Sequence, residues 1–209
     1  MKALILVDIQ NDFCPGGALA VNEGDRIVPL VNRLLPHFDL VVATQDWHPA
    51  GHGSFASSHA GAKPGTLGEL GGLPQVYWPD HCVQGSHGAA FHPELDARPI
   101  EAIFRKGTDP AIDSYSGFYD NGHKKSTGLA GYLKEKGVDE VYVVGLATDY
   151  CVKFTALDAA KLGFRTTVVE DACRGVELQP GDVAKALDAL RAAGVKVVPS
   201  TALLGARTS

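Results

Sequence analysis

Six short apolar runs limit what this chain can fold into. They are Lys2–Val7, Leu40–Thr44, Ile100–Phe104, Val141–Leu146, Thr166–Val169 and Val195–Val198. Each is rich in β-branched residues, and none shows sustained apolar–polar alternation, so each reads as a strand buried on both faces, as in a parallel sheet. Helical patterns lie between them. Asp25–Leu35 carries Ile27, Leu30, Val31, Leu34 and Leu35 on one face. Ser126–Lys136, Val152–Leu162 and Gly181–Ala193 follow, each with a glycine just beyond it (Gly137, Gly163, Gly194) to cap the end. Strand–helix alternation makes βαβ units. The expected fold is therefore α/β, a doubly wound, mainly parallel sheet flanked by helices. A length of 209 residues suits one well-filled core, and no repeat or linker divides it, so the expectation is a single domain over 1–209.

The rhythm breaks between 47 and 99. That stretch is rich in Gly, Pro and His and has little periodicity. So long an irregular insertion in a compact domain points to function, here a metal-site and lid region. Six of the eight histidines fall in it: His48, His52, His59, His81, His87 and His92. A formal net charge of -5 argues against a nucleic-acid surface. The apolar run Ala3–Val7 ends at Asp8, too short for a signal-peptide core, and no other run could span a bilayer. The expectation is a cytoplasmic chain with no membrane or nucleic-acid partner. Cys14, Cys82, Cys151 and Cys173 are scattered without metal-type or redox-type pairing, and a cytosolic chain of this size needs no disulfide.

In open parallel sheets ligands bind beyond the carboxyl ends of the strands. Asp8 follows the first run, Asp46, Trp47 and His48 the second, Lys106 the third and Cys151 the fourth. Cys151 sits at a strand-to-helix turn, where free N–H groups and the helix dipole favour a thiolate. Asp8 can accept the thiol proton, while Lys106 can lower the thiol pKa and hold Asp8 ionised. Backbone N–H groups around Ala147 and Cys151 can bind an oxyanion. Asp46, His48 and His52 fall within seven residues, and His81 is a further candidate ligand. A carboxylate with imidazoles suits zinc, iron or manganese, and Cys82 competes as a sulfur ligand.

These segments together resemble the nicotinamidase/pyrazinamidase group of the isochorismatase-like hydrolases. The matching stretches run nearly end to end. They include Leu6-Val7-Asp8-Ile9-Gln10-Asn11-Asp12-Phe13-Cys14, Gln45-Asp46-Trp47-His48-Pro49, His52-Gly53-Ser54-Phe55 and Trp78-Pro79-Asp80-His81-Cys82-Val83. Lys106-Gly107, Asp113-Ser114-Tyr115-Ser116-Gly117-Phe118 and Gly145-Leu146-Ala147-Thr148-Asp149-Tyr150-Cys151-Val152 complete them. The Asp–Lys–Cys set marks the superfamily, and the Asp-x-His and Trp-Pro-x-His-Cys set is more specific. The resemblance implies a triad of Asp8, Lys106 and Cys151, and an oxyanion hole from the N–H groups of Ala147 and Cys151 beside a cis Leu146–Ala147 peptide. It implies one divalent transition metal, zinc first with iron or manganese as alternatives, held by Asp46, His48, His52 and His81. Phe13, Trp78 and Tyr115 match the walls of a ring pocket, and His59, His87 and Cys82 have no place in the pattern.

The activity so implied is hydrolysis of nicotinamide to nicotinate and ammonia through a cysteine thioester, in NAD salvage, with pyrazinamide as a further substrate. The partner is then a small molecule, with room left for a homo-oligomer. Two other readings use the same residues. A metal-independent amidohydrolase of the superfamily would keep Asp8, Lys106 and Cys151 without needing the histidines. A non-catalytic metal-binding or redox protein would use Cys151 and the histidines without needing Asp8 and Lys106.

Overall fold

The computed structural model describes residues 1–205, so the last four positions of the expected domain lie outside the described residues. Strands β1 (Lys2–Val7), β2 (Leu40–Asp46), β5 (Ile100–Lys106), β6 (Glu140–Leu146), β7 (Arg165–Arg174) and β8 (Lys196–Val198) form one sheet in the order β5-β2-β1-β6-β7-β8. Every pairing in it is parallel. From β1 the chain winds outward through β2 to β5, then returns to the other side of β1 and winds outward through β6, β7 and β8. The switch point thus falls between β1 and β6, the strands that end at Asp8 and just before Cys151.

Helices cover both faces. On one face α1 (Val28–Leu34) packs Val28, Val31 and Leu34 against Leu4, Leu6, Val41 and Ala43, and α5 (Thr201–Leu204) adds Leu203 and Leu204. On the other, α2 (Leu129–Glu135), α3 (Lys153–Lys161) and α4 (Asp182–Ala192) pack Leu129, Leu133, Ala156, Ala159 and Leu190 against Ala3, Ile5, Val7 and Val143. Strands sandwiched in this way have no solvent face, which is why their sequences do not alternate. The edge strand β5 departs from that expectation. Glu101, Ile103 and Arg105 are exposed there, Ile103 by 50%. The edge lies beyond the reach of the helix layer, so one face of β5 stays open.

The insertion is more ordered than expected. It holds an antiparallel hairpin of β3 (Leu67–Leu70) and β4 (Leu73–Val76), turning through Gly71 and Gly72, both at positive φ. A two-residue Gly-Gly turn suits a hairpin because neither residue carries a Cβ. The rest of the insertion is pinned to the main domain by backbone hydrogen bonds. His48 N–H donates to the Cys82 carbonyl and Gln84 N–H to the His48 carbonyl. That zipper brings the 81–84 segment alongside the end of β2.

Candidate functional site

The chemistry sits at the carboxyl ends of β1, β2, β5 and β6. Asp8 leaves β1 at a φ of 48°, in the left-handed region, and is fully buried. A non-glycine residue held there marks local strain imposed by its surroundings. Asp8 Oδ1 accepts a 2.6 Å hydrogen bond from Thr44 Oγ on β2. Asp8 Oδ2 lies 2.8 Å from Lys106 Nζ as an ion pair. The same ammonium reaches Asp46 Oδ1 (3.0 Å), the Ser114 carbonyl (3.0 Å) and Cys151 Sγ (3.5 Å). A carboxylate oxygen has more than one lone pair, so Asp8 Oδ2 keeps acceptor capacity beside its ion pair.

Lys106 is 2% exposed, the buried hub between two carboxylates and a thiol. Burial opposes its charge, but Asp46 and Asp8 override it and hold the ammonium pKa well above the usual lysine value. Burial raises Asp8 above the ordinary carboxylate value, with Lys106 pulling the other way. Burial likewise pushes the Cys151 thiol well above its usual value, against Lys106 and reinforced by Asp8 and Asp46. The sequence suggested a thiol lowered by Lys106 and the helix start. In the structure desolvation outweighs one shared cation and shifts the thiol toward its protonated form. Thiolate then forms only as the proton moves to a neighbouring base.

Beyond β6 the Leu146–Ala147 peptide is cis. A wide helical turn over Thr148–Val152 leads into α3 and carries Cys151. Gly145 lets this segment approach β1, since a Cβ on it would stand 2.1 Å from the Val7 carbonyl oxygen. Asp149 in the same turn accepts the N–H groups of Val176 and Glu177 (2.9 and 2.8 Å) and so draws Val176 to the site. Cys151 opens on a small pocket. Its walls include Phe13, Trp78, His81, Tyr115, Ala147 and Tyr150, with Asp46 and Asp113 also facing it. Phe13, Trp78 and Tyr115 thus stand together around the cysteine. Trp78 and Tyr150 meet edge-on at 5.0 Å.

Beside the thiol lies a second cluster. His48 Nε2 and His81 Nε2 stand 3.1 and 3.3 Å from Asp46 Oδ2. Their Nδ1 atoms are 2.8 Å from the carbonyls of Gly107 and Pro79. A carbonyl there requires Nδ1–H, so in the neutral rings the Nε2 lone pairs face the carboxylate. Lone pairs aimed at an anion need a cation between them, and a backbone acceptor on the outer nitrogen is the usual support of a metal-bound histidine. Burial would lower His48, but Asp46 lifts its pKa to about 9. Asp46, His48 and His81 thus fit a divalent metal ion, one that takes oxygen and nitrogen ligands.

His52 falls in a second group able to hold a metal ion, with His48 and Asp113. Its Nδ1 is 2.8 Å from Ser54 Oγ and accepts the Ser54 N–H, and its Nε2 donates to the Asp109 carbonyl at 2.8 Å. Its ring centroid lies 4.3 Å from that of His48. Cys82 belongs to neither metal-type cluster among the described residues, and all four cysteines are free. His59 stacks on Tyr77 at 3.9 Å, away from the cysteine.

Sequence reasoning did not single out Thr44, Gln10, Gln75, Asp113 or Tyr150. Gln10 clamps Asp46 through both backbone groups (Nε2 to the carbonyl and the N–H to Oε1, both 2.8 Å). Its place two residues past Asp8 was the only available signal, since pairing across strands is invisible in one chain.

An isochorismatase domain model matches residues 2–202. The nicotinamidase of Escherichia coli (strain K12) is 56% identical over 197 residues, covering 92% of each chain. The solved structure of a nicotinamidase/pyrazinamidase from Acinetobacter baumanii is 51% identical, with a TM-score of 0.94 and 97% of each chain covered. A pyrazinamidase of Pyrococcus horikoshii solved in complex with zinc is 41% identical, with a TM-score of 0.77 and coverage of 95% of this chain and 98% of that one.

Proposed function

The chain belongs to the isochorismatase-domain family, and from the site it builds on that fold we infer how it works as a nicotinamidase. It hydrolyses nicotinamide to nicotinate and ammonia. The observation that carries the mechanism is the meeting of Asp8, Lys106 and Cys151 beside an Asp–His–His cluster at one aromatic-walled pocket.

In the free site Cys151 holds its proton and Asp8 Oδ2 has a lone pair to receive it. Substrate binding places the carboxamide carbon over Sγ, with Phe13 and Trp78 packed on the ring and Tyr115 at its edge. As Sγ attacks, the thiol proton passes to Asp8, and Lys106 stabilises the developing thiolate through its N–H···S contact. The carbonyl oxygen gathers negative charge and is met by the N–H groups of Ala147 and Cys151. One such donor is typically worth about 3–4 kcal/mol of transition-state stabilisation. Collapse of the tetrahedral adduct breaks the C–N bond, and Asp8 returns its proton to the departing nitrogen as ammonia leaves. Asp8, again a carboxylate, then takes a proton from the water that attacks the thioester. Nicotinate leaves and the Cys151 thiol is restored.

Asp46, His48 and His81 would hold the divalent ion, and zinc fits a carboxylate with two imidazoles. When bound, that ion supplies a Lewis acid to which the ring nitrogen is anchored, directly or through water. A metal-independent amidohydrolase would have no use for Nε2 lone pairs aimed at a carboxylate, and a redox role would leave the buried Asp8–Lys106 pair unexplained. NAD salvage follows as the physiological setting of this reaction.

The deciding experiment is ammonia release from nicotinamide by the wild type and by Cys151→Ala. The expected result is turnover by the first and none by the second, with the fold and metal content of both unchanged. Turnover by Cys151→Ala would overturn the thioester route.

A further inference from the structure

The geometry points to a second small-molecule site, a groove outside the catalytic pocket that takes a primary ammonium carried on an apolar body. It goes beyond the nicotinamidase reading and does not depend on it, since its charged groups belong to neither the triad nor the metal-type clusters. The groove lies between the β3–β4 hairpin, the 115–123 segment and α3, and holds about 390 Å³. Small-ligand sites usually span about 300–1,000 Å³. Leu73, Pro74, Phe154 and Leu157 give the groove apolar walls, and Asp158 is its buried acid.

Asp158 carries the inference. It is only 4% exposed, yet it lines the groove. Its charged company is confined to Oδ1, where His123 Nε2 stands 3.5 Å away and Lys161 Nζ 3.8 Å away. Both distances exceed the roughly 2.7–3.2 Å of a hydrogen bond from nitrogen. The two cationic side chains are 50% and 70% exposed, so water screens both contacts. Oδ2 is closed off from bulk water and has no hydrogen-bond partner among the described residues. Buried polar atoms are nearly always hydrogen-bonded, so this one asks for a donor that the fold itself does not supply. The χ2 torsion of an aspartate is broad and two-fold, so a small turn presents either oxygen to the groove. The other acid there, Asp120, is already engaged, accepting the N–H groups of Gly122, Lys124 and Lys125 at 2.9, 2.9 and 2.8 Å.

These features select the ligand class. A primary ammonium brings three N–H donors and the charge opposite to the carboxylate. The apolar walls cover the body that it is attached to. An anion would be repelled by Asp158, and a neutral apolar molecule would leave Oδ2 without a donor. The ammonium has only two long, solvent-screened contacts to displace.

The test is calorimetric titration of the metal-loaded protein with benzylammonium at low ionic strength, with benzyl alcohol as the uncharged match. Wild type, Asp158→Asn and Lys161→Glu are compared, and the wild-type titration is repeated with saturating nicotinate. The expected result is one benzylammonium per chain in the wild type, unaffected by nicotinate, with benzyl alcohol bound at least about tenfold more weakly. Asp158→Asn is expected to weaken benzylammonium binding by about tenfold or more, the size of a charge-assisted hydrogen bond. Lys161→Glu is expected to tighten it, because it replaces the competing cation with an attracting charge. That variant alters only an exposed side chain, so the inference is tested even where Asp158→Asn fails to fold. No binding by the wild type, equal affinity in Asp158→Asn, unchanged or weaker binding in Lys161→Glu, equal binding of benzyl alcohol, or displacement by nicotinate would each overturn the site.

Discussion

Asp8 can use only one of its oxygens as a base. Thr44 occupies Oδ1 at 2.6 Å, which turns Oδ2 toward Lys106 and the thiol. The Thr44 hydroxyl donates to the charged form and so holds the Asp8 pKa down, against a burial effect that raises it. Activity needs the carboxylate, so it falls as pH drops through the Asp8 pKa. Thr44→Val removes the donor at nearly constant volume. The expected outcome is an acid limb of the kcat/KM–pH profile moved to higher pH and a kcat reduced by up to about tenfold, with Thr44→Ser close to wild type. An unmoved acid limb in Thr44→Val would show that Asp8 is not the group titrating there. His52 and His81 give a second contrast at this scale. His81 aims Nε2 at Asp46, whereas His52 spends both nitrogens on Ser54 and Asp109. Elemental analysis is expected to find His81→Ala largely free of metal and His52→Ala close to one ion per chain. Equal loss in both would return His52 to the ligand set.

Strand ends do the placing at the scale of elements. Each catalytic group emerges from a different strand, and the parallel register sets them side by side. Asp46 pairs with Lys106 in the β2–β5 ladder and Val7 with Gly145 in the β1–β6 ladder. The step after β5 shows how tightly the ends are packed. Gly107 has a φ of 65°, and a Cβ on it would lie 2.4 Å from His48 Cε1. Gly107→Ala is therefore both strained and in collision with a metal-type ligand. Metal affinity is expected to fall at least tenfold, while the far-UV circular dichroism stays that of the wild type. Undiminished affinity would mean that His48 tolerates displacement and that the cluster is looser than its distances imply. The strand pattern was legible in β1, β2 and β6 because both faces are buried. It misled for β5, which lies at the edge, and the β3–β4 hairpin was hidden by weak four-residue strands between glycines.

The whole molecule couples the site to stability. The Asp46–His48–His81 cluster draws on the end of β2 and on the insertion, which only the folded chain brings together. A metal ion bound there stabilises the folded state by mass action, about 2.7 kcal/mol at a hundredfold excess over its Kd. In a domain of this size that corresponds to about 5–10 °C in Tm. Calorimetry with and without a chelator is expected to show that drop, and His48→Ala is expected to show little response to the chelator. A wild-type Tm indifferent to chelation would argue against a resident metal. No helix among the described residues is long and apolar enough to cross a membrane.

Much of this was already in the order of residues. Buried strands, helices and glycine caps are local patterns, and the chemistry-bearing residues follow the strands directly, so the fold class and the grouping of Asp8, Asp46, Lys106 and Cys151 could be read before any coordinates. The resemblance of the same segments to a known family extended that reading to substrate and ring pocket. What tertiary structure alone decided depends on direction and on desolvation. A ring nitrogen points one way or the other according to a carbonyl supplied from elsewhere in the chain, as the Gly107 carbonyl does for His48. A thiol's pKa depends on how completely the surrounding layers exclude water, which is why Cys151 is shifted toward its protonated form despite its lysine. No spacing of residues along the chain encodes these relations, because each is a contact between segments that meet only when the sheet is assembled.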